Sequence, residues 1–435
     1  MFSNFANFMS AQSRYQSRLV VLLRVLFFVF PLFIGTVGSW ASGGYLLLVV
    51  FALISIRCVC EDPVVRRHDL QFPILLFFIA LLLSFLNCED WSWAVKWLGK
   101  LLALLFLVPT VMGLRRLSGG FMRPLGLGVL SAGFVVGGVA LYAQVVLHSG
   151  RQIGYYNPII FGDLAILIGV LVVCLSLSGI YQRWLLWLMP FSAVSALYAA
   201  VVSMTRGSWL AVPMIIFLLL FLLMKGGLFK DPRSRGRGFC GAVIILIFVL
   251  LSPGVFPGTI GTQIKRTYTG IVDFNPNEQK DTSIGIRLLL WDISIDIWKK
   301  KPFLGTGMGD FILEQELAMK QQRTALKDTF RHAHSIYFGF LSQTGLFGFV
   351  TMTTALLILP FRIFYRALFY VQTAEERFAC LGGMALIVCY AVFGLTEAVF
   401  SRSAFVASFA FFLATFLSAI SDRPRLEFEN DGTDT

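Results

Sequence analysis

Apolar runs of about 18 residues or more recur along this chain, each long enough to cross a hydrocarbon core roughly 30 Å thick. Nothing else in the sequence constrains the fold as tightly. Lipid offers no water to pair with backbone N–H and C=O groups, so such runs must be helices. Charged residues make up only 14% of the 435 residues and hydrophobic ones 57%, against about 25% charged in soluble domains. The expected fold is an all-α polytopic membrane protein. Spans read at 19–38, 44–60, 70–87, 94–113, 124–147, 158–180, 184–204, 208–224, 239–254, 335–360, 378–398 and 403–421, about twelve by the length criterion. Nine occupy 1–254 and three occupy 335–421. Between them lies a polar loop, 255–334, and 422–435 forms a tail.

The formal charge of +12 does not mark a nucleic-acid binder, because the basic residues sit in short loops, where cations set topology or meet anionic headgroups. Arg14 and Arg18, Arg66 and Arg67, Arg115 and Arg116, Arg183, Lys230 and Arg233, Arg362 and Arg366, and Arg423 all fall on the side of the N-terminus. That side is expected to be cytoplasmic, as are both termini, and the loop 255–334 faces outward. The first apolar run is too long for a cleavable leader and lacks a small-residue cleavage site. The seven cysteines show neither metal-ligand nor disulfide spacing.

A loop of this length is usually functional. Pro253-Gly-Val-Phe-Pro257 breaks the preceding helix, and Asn275-Pro-Asn is turn-like. A helix is expected from Ser283, with Arg287, Trp291, Ser294 and Trp298 on one face and Asp292, Asp296 and Lys300 on another. Two tryptophans on one face suit a helix lying in the membrane interface. A second amphipathic helix is expected over 311–327. Gly305-Thr-Gly-Met-Gly309 lacks dinucleotide-loop spacing and reads as a flexible turn.

Polar residues near the outer side are the candidate site. Arg206, in Met204-Thr-Arg-Gly-Ser208, stands in a short outer loop otherwise poor in cations. Its plain reading is a side chain reaching to headgroups; with Arg266 and Arg287 it would make a diphosphate clamp, because guanidinium forks bind phosphate oxygens bidentately. His332 and His334 begin the tenth span. On a helix, residues two apart point to nearly opposite sides and cannot share a metal. His334, Tyr337, Leu341, Gly345 and Gly348 would line one face, with the glycines allowing close packing. A single histidine is usually structural, yet one at the mouth of a membrane bundle is the natural base near neutral pH. Asp163 and Glu397, at the outer ends of the sixth and eleventh spans, are secondary candidates that could simply pair with arginines. No carboxylate pair suits glycoside hydrolysis, and no Asp-x-Asp or His/Asp cluster marks a divalent metal.

Arg206-Gly after a span, Arg287-x-x-x-Trp291, Pro302-Phe-Leu-Gly-x-Gly-x-Gly309, and His334-Ser-x-Tyr337 with Gly345-Leu-Phe-Gly348 together resemble the O-antigen ligase superfamily. That superfamily comprises O-antigen ligases, Wzy-type O-antigen polymerases and bacterial protein O-oligosaccharyltransferases. The similarity is strongest over about 200–350. The resemblance implies a glycosyltransferase of the bacterial inner membrane with its active site facing the periplasm. By the same resemblance it would use an undecaprenyl-diphosphate-linked glycan and neither metal nor cofactor. His334 would be the catalytic base, and Arg206, Arg287 and less securely Arg266 would hold the diphosphate, with His332 and Tyr337 nearby. One dominant late periplasmic loop resembles the ligase, whose acceptor is lipid A–core, more than the polymerase. A transporter or flippase is the reading from another class; it calls for ionisable groups near the bilayer midplane and repeated broken helices.

Overall fold

The computed structural model describes residues 2–58, 70–117, 120–148, 157–181, 183–225, 265, 268–270, 272 and 283–420, without the side chains of 2–16, 57, 58 and 183. The expected ninth span, the turn at Asn275, Arg266 and the tail lie outside the described residues.

Among the described residues every regular element is helical. In chain order these are α1 (Phe2–Phe33), α2 (Trp40–Cys58), α3 (Gln71–Ser84), α4 (Trp91–Leu101), α5 (Leu107–Arg116), α6 (Met122–Val145), α7 (Pro158–Ser178), α8 (Arg183–Val202), α9 (Arg206–Trp209) and α10 (Ala211–Met224). Within the polar loop come α11 (Ser283–Lys300) and α12 (Phe311–Lys320), and after it α13 (Ile336–Met352), α14 (Leu359–Leu368), α15 (Ala374–Thr396) and α16 (Ser403–Ala419). Seven continuous helices are long and apolar enough to cross a membrane, and Trp40–Ile56, Gln71–Asn87 and Ser403–Ala419 are shorter apolar helices. The chain is thus a multi-pass membrane protein.

At the centre stand α7 and α15, apolar all round and buried along most of their length, as a helix surrounded by others must be. Local signals fix their ends. The Asn157 side chain accepts from Ile159 N at 2.9 Å, Pro158 takes the first position, and Gly179 ends α7 at φ 78°. A capping box of Thr373 and Glu376 starts α15.

Two ends of the bundle differ in chemistry. At one, Arg115 donates to Leu417 O at 3.0 Å, Arg116 to Ile56 O at 2.6 Å, and Arg123 pairs with Glu375 at 3.2 Å. Here the basic short loops satisfy helix C-terminal carbonyls. At the other, the segment 302–310 is folded down onto the helix ends, and this end holds the candidate site.

The glycine-rich stretch is a built latch rather than the flexible turn expected. Gly305, Gly307 and Gly309 have φ of 70°, 119° and 111°, which side-chain-bearing residues rarely adopt. Gly307 N donates to Gln343 O at 3.1 Å, Gly309 N to Gln343 Oε1 at 2.9 Å, and Asn87 Nδ2 to Gly305 O at 2.8 Å. Asp310 then accepts from Glu89 N and Asp90 N at 2.9 and 2.8 Å. Gly345, at φ 64°, breaks the regular turn inside α13, and what approaches it is the backbone of Phe303 and Leu304, not a neighbouring helix.

Other expectations need correction. α12 stops at Lys320, not 327, because Gln322 turns to φ 53° and Arg323 N closes back on Ala318 O at 2.9 Å. The buried stripe of α11 is Leu289, Leu290, Ile293 and Ile297. Its Trp291 stacks on Phe338 at 5.0 Å and donates to Ala333 O at 3.1 Å, so α11 docks on α13 through this residue instead of presenting it to an interface.

Candidate functional site

The C-terminal end of α15, Thr396 and Glu397, gathers the site. Arg287 on α11 donates its Nε to Thr396 O at 3.1 Å and a terminal N–H to Ser283 O at 3.0 Å. Gly207, the second residue of α9, packs so tightly on the Thr396 side chain that a Cβ would collide with its hydroxyl. Arg206, half-buried, is therefore carried to the same corner. Below it, Asp163, buried in the second turn of α7, accepts a hydrogen bond from the Ser208 hydroxyl, and Thr205 Oγ1 donates to Pro158 O at 3.0 Å. These bonds fasten α9 to the start of α7.

Glu397 is 1% exposed. Its Oε2 lies 3.4 Å from His334 Nδ1, and its Oε1 lies 3.6 Å from Arg402 Nε. Burial by itself would push the carboxyl up. The His334 hydrogen bond and the charges of His332, His334 and Arg402 outweigh it and hold the acid at about 2. His334 stands at φ 49° with a fifth of its side chain exposed.

Neither histidine is on a helix, since α13 begins only at Ile336. The divergence expected from helical geometry is therefore wrong: their rings meet edge to face with centroids 4.4 Å apart. Burial, and next the neighbouring His334, drive His332 down to about 4, so it is neutral near pH 7. Ligand atoms of His332, His334 and Glu397 lie within 4.8 Å of one another, a set that can hold a cation. The Arg402 guanidinium competes with any cation for Glu397 at this spot.

Tyr337 spends its hydroxyl on Ala391 O at 2.8 Å, a helix-docking bond. Of the sequence candidates, Arg206, Arg287, His334, His332, Glu397 and Asp163 share this end of the bundle, and Arg266 lies outside the described residues. Thr396 and Ser208 went unnoticed in the sequence. A buried carboxylate five residues before an arginine, Glu397 and Arg402, was the signal pointing to that corner.

A family model described as O-antigen ligase matches residues 191–353. These residues are similar to the O-antigen ligase and Wzy-type superfamily. The matched stretch contains Arg206, Arg287, His332 and His334, while Glu397 and Arg402 lie beyond it. A protein of Haemophilus influenzae, described only as uncharacterized, is 22% identical over 332 residues, covering 74% of this chain and 78% of that protein. The O-antigen ligase match supports, in general terms, an enzymatic role of the ligase or polymerase kind, acting on polysaccharide or lipid-linked substrates in a membrane.

Proposed function

We propose that this chain is an O-antigen ligase of a bacterial inner membrane. It would be an inverting, metal-independent glycosyltransferase that moves a glycan from undecaprenyl diphosphate to a sugar hydroxyl of lipid A–core. The observation that carries this reading is the His334 Nδ1 to Glu397 Oε2 approach of 3.4 Å, one residue from the carbonyl that holds Arg287. The basic short loops support cytoplasmic termini, and with that orientation this end of the bundle would face the periplasm.

An ionised Glu397 accepts a hydrogen bond from His334 Nδ1–H, which stays on the ring and leaves Nε2 with its lone pair. Nε2 takes the proton of the acceptor hydroxyl as its oxygen forms a bond to the anomeric carbon. The bond from that carbon to the diphosphate oxygen breaks in line, and its electron pair leaves on the phosphate. Configuration inverts in one displacement, so no enzyme nucleophile is needed. Arg206 and Arg287, with Arg266, meet the charge growing on the diphosphate. The imidazolium formed on His334 is stabilised by Glu397.

The test is reconstitution with undecaprenyl-diphosphate glycan and lipid A–core, where His334→Ala is expected to lower transfer about 10²–10⁴-fold. Substantial transfer by that variant overturns the role of His334. Glycosylation of a second lipid-linked repeat, or of a protein, would instead identify a polymerase or a protein O-oligosaccharyltransferase. Substrate flux without transfer would identify a transporter.

A further inference from the structure

A second cationic cluster lies beside the histidines. On α4, Trp93, Lys96, Trp97 and Lys100 share one face by i, i+3, i+4, i+7 spacing. Lys96 Nζ sits 4.5 Å from the Trp93 centroid, Lys100 Nζ 5.8 Å from that of Trp97, and Arg331 Cζ 3.8 Å from that of Trp93. Arg331 immediately precedes His332. Trp97 of this face lines one small cavity with His332, Ala398, Phe400 and Ser401, which sets α4 against the sequence neighbours of Arg331, Glu397 and Arg402.

Among the described residues no carboxylate lies within ion-pair distance of Lys96, Lys100 or Arg331. Of the acids around this group, Glu397 is shared by Arg402 and His334, Asp90 accepts from Trp93 N, and Asp310 accepts from Glu89 N and Asp90 N. Aromatic rings restrain cations without neutralising them, and a guanidinium lying on a ring keeps its in-plane N–H donors for another partner. Arg402 Nε is buried and makes no hydrogen bond. Like charges gathered with so little compensation, partly inside an apolar bundle, are costly unless an anion completes them.

We infer that Lys100, Arg331 and Arg402 bind a phosphate group carried by the acceptor glycolipid, apart from the arginines assigned to the donor. This rests on the glycosyl-transfer reading. Holding the acceptor by its phosphate would bring its hydroxyl to His334, because Arg402 contacts Glu397 and Arg331 adjoins His332.

The experiment uses the full chain in nanodiscs of zwitterionic phospholipid, with lipid A–core as acceptor, phosphorylated or chemically dephosphorylated. Wild type is expected to prefer the phosphorylated acceptor in kcat/KM by about tenfold, the scale of one charge-assisted hydrogen bond. Lys100→Gln and Arg331→Gln should each bring that ratio toward one, and Lys100→Arg should restore it. Equal use of both acceptors by wild type, or a preference that survives both glutamine variants, overturns the site while leaving glycosyl transfer intact. Retention of each glycolipid is measured in parallel on the His334→Ala chain. Selective retention of the phosphorylated form, with no transfer by wild type to any acceptor, keeps the site and overturns the transfer reading. Displacement of the glycolipid by phosphatidylglycerol doped into the nanodisc assigns the cluster to ordinary lipid headgroups and overturns the proposal.

Discussion

His334 Nδ1 faces Glu397 Oε2 at 3.4 Å across the end of the central helix α15. In the proposed transfer the carboxylate would keep the proton on Nδ1 and steady the imidazolium. Glu397→Gln keeps the shape and removes that charge. It is expected to lower kcat by about tenfold or more, while donor KM changes little, as for loss of an interaction that grows in the transition state. The pH profile of kcat should move with it. A variant with unchanged kcat and profile would reduce Glu397 to a packing residue.

Gly207 touches Thr396, and Arg287 holds the carbonyl of that same Thr396. Gly207→Ala drives a methyl into the threonine hydroxyl, so α9 must shift and take Arg206 with it. Donor KM should rise about tenfold, the cost of one misplaced charge-assisted contact. Thr396→Ala removes the obstructing hydroxyl and should recover part of the loss in the double variant. Steady-state kinetics of the four proteins measure the coupling.

His332 is held at about 4 against an ordinary 6.5. As pH falls from 6.5 to 4, the unfolded chain takes up a proton that the folded one refuses, so stability is lost through that window. Glu397, at about 2 against 4.5, contributes stability above 4.5 that is lost between 4.5 and 2. Thermal midpoints against pH should therefore fall in two stages, and His332→Gln should flatten the upper one.

Asp310 ties the glycine-rich latch to the N-terminus of α4 by accepting from Glu89 N and Asp90 N. Asp310→Ala orphans both, at about 1–3 kcal/mol for each N–H left without a partner. The melting temperature should drop, with limited proteolysis opening near 302–310. The Cys88 thiol beside it, pushed up to about 12 by burial and then by Asp310, should stay unreactive in wild type and become alkylatable in the variant.

The helical class was legible in the sequence because lipid permits few backbone solutions, and the basic short loops placed Arg206 and His334 at one end of the bundle. Apolar length and basic loops therefore report spans directly. The motif His332-Ala-His334 was legible as chemistry, but its geometry was misjudged. A helix was extended through a segment whose backbone turns left-handed at His334, and only that turn lets the two rings meet. The glycine triplet 305–309 read as slack for a similar reason: its φ values and its fit to Gln343 depend on α13 being there to receive it.

Sequence by itself determined the helical class and most of the apolar helical segments, because lipid leaves the backbone no other way to pair its polar groups. Tertiary structure alone decided the partners: Glu397 for His334, Thr396 for Arg287, Ser208 for Asp163. Those pairs lie 45 to 109 residues apart in the chain, and no local periodicity records which helix ends will be neighbours once the bundle has packed.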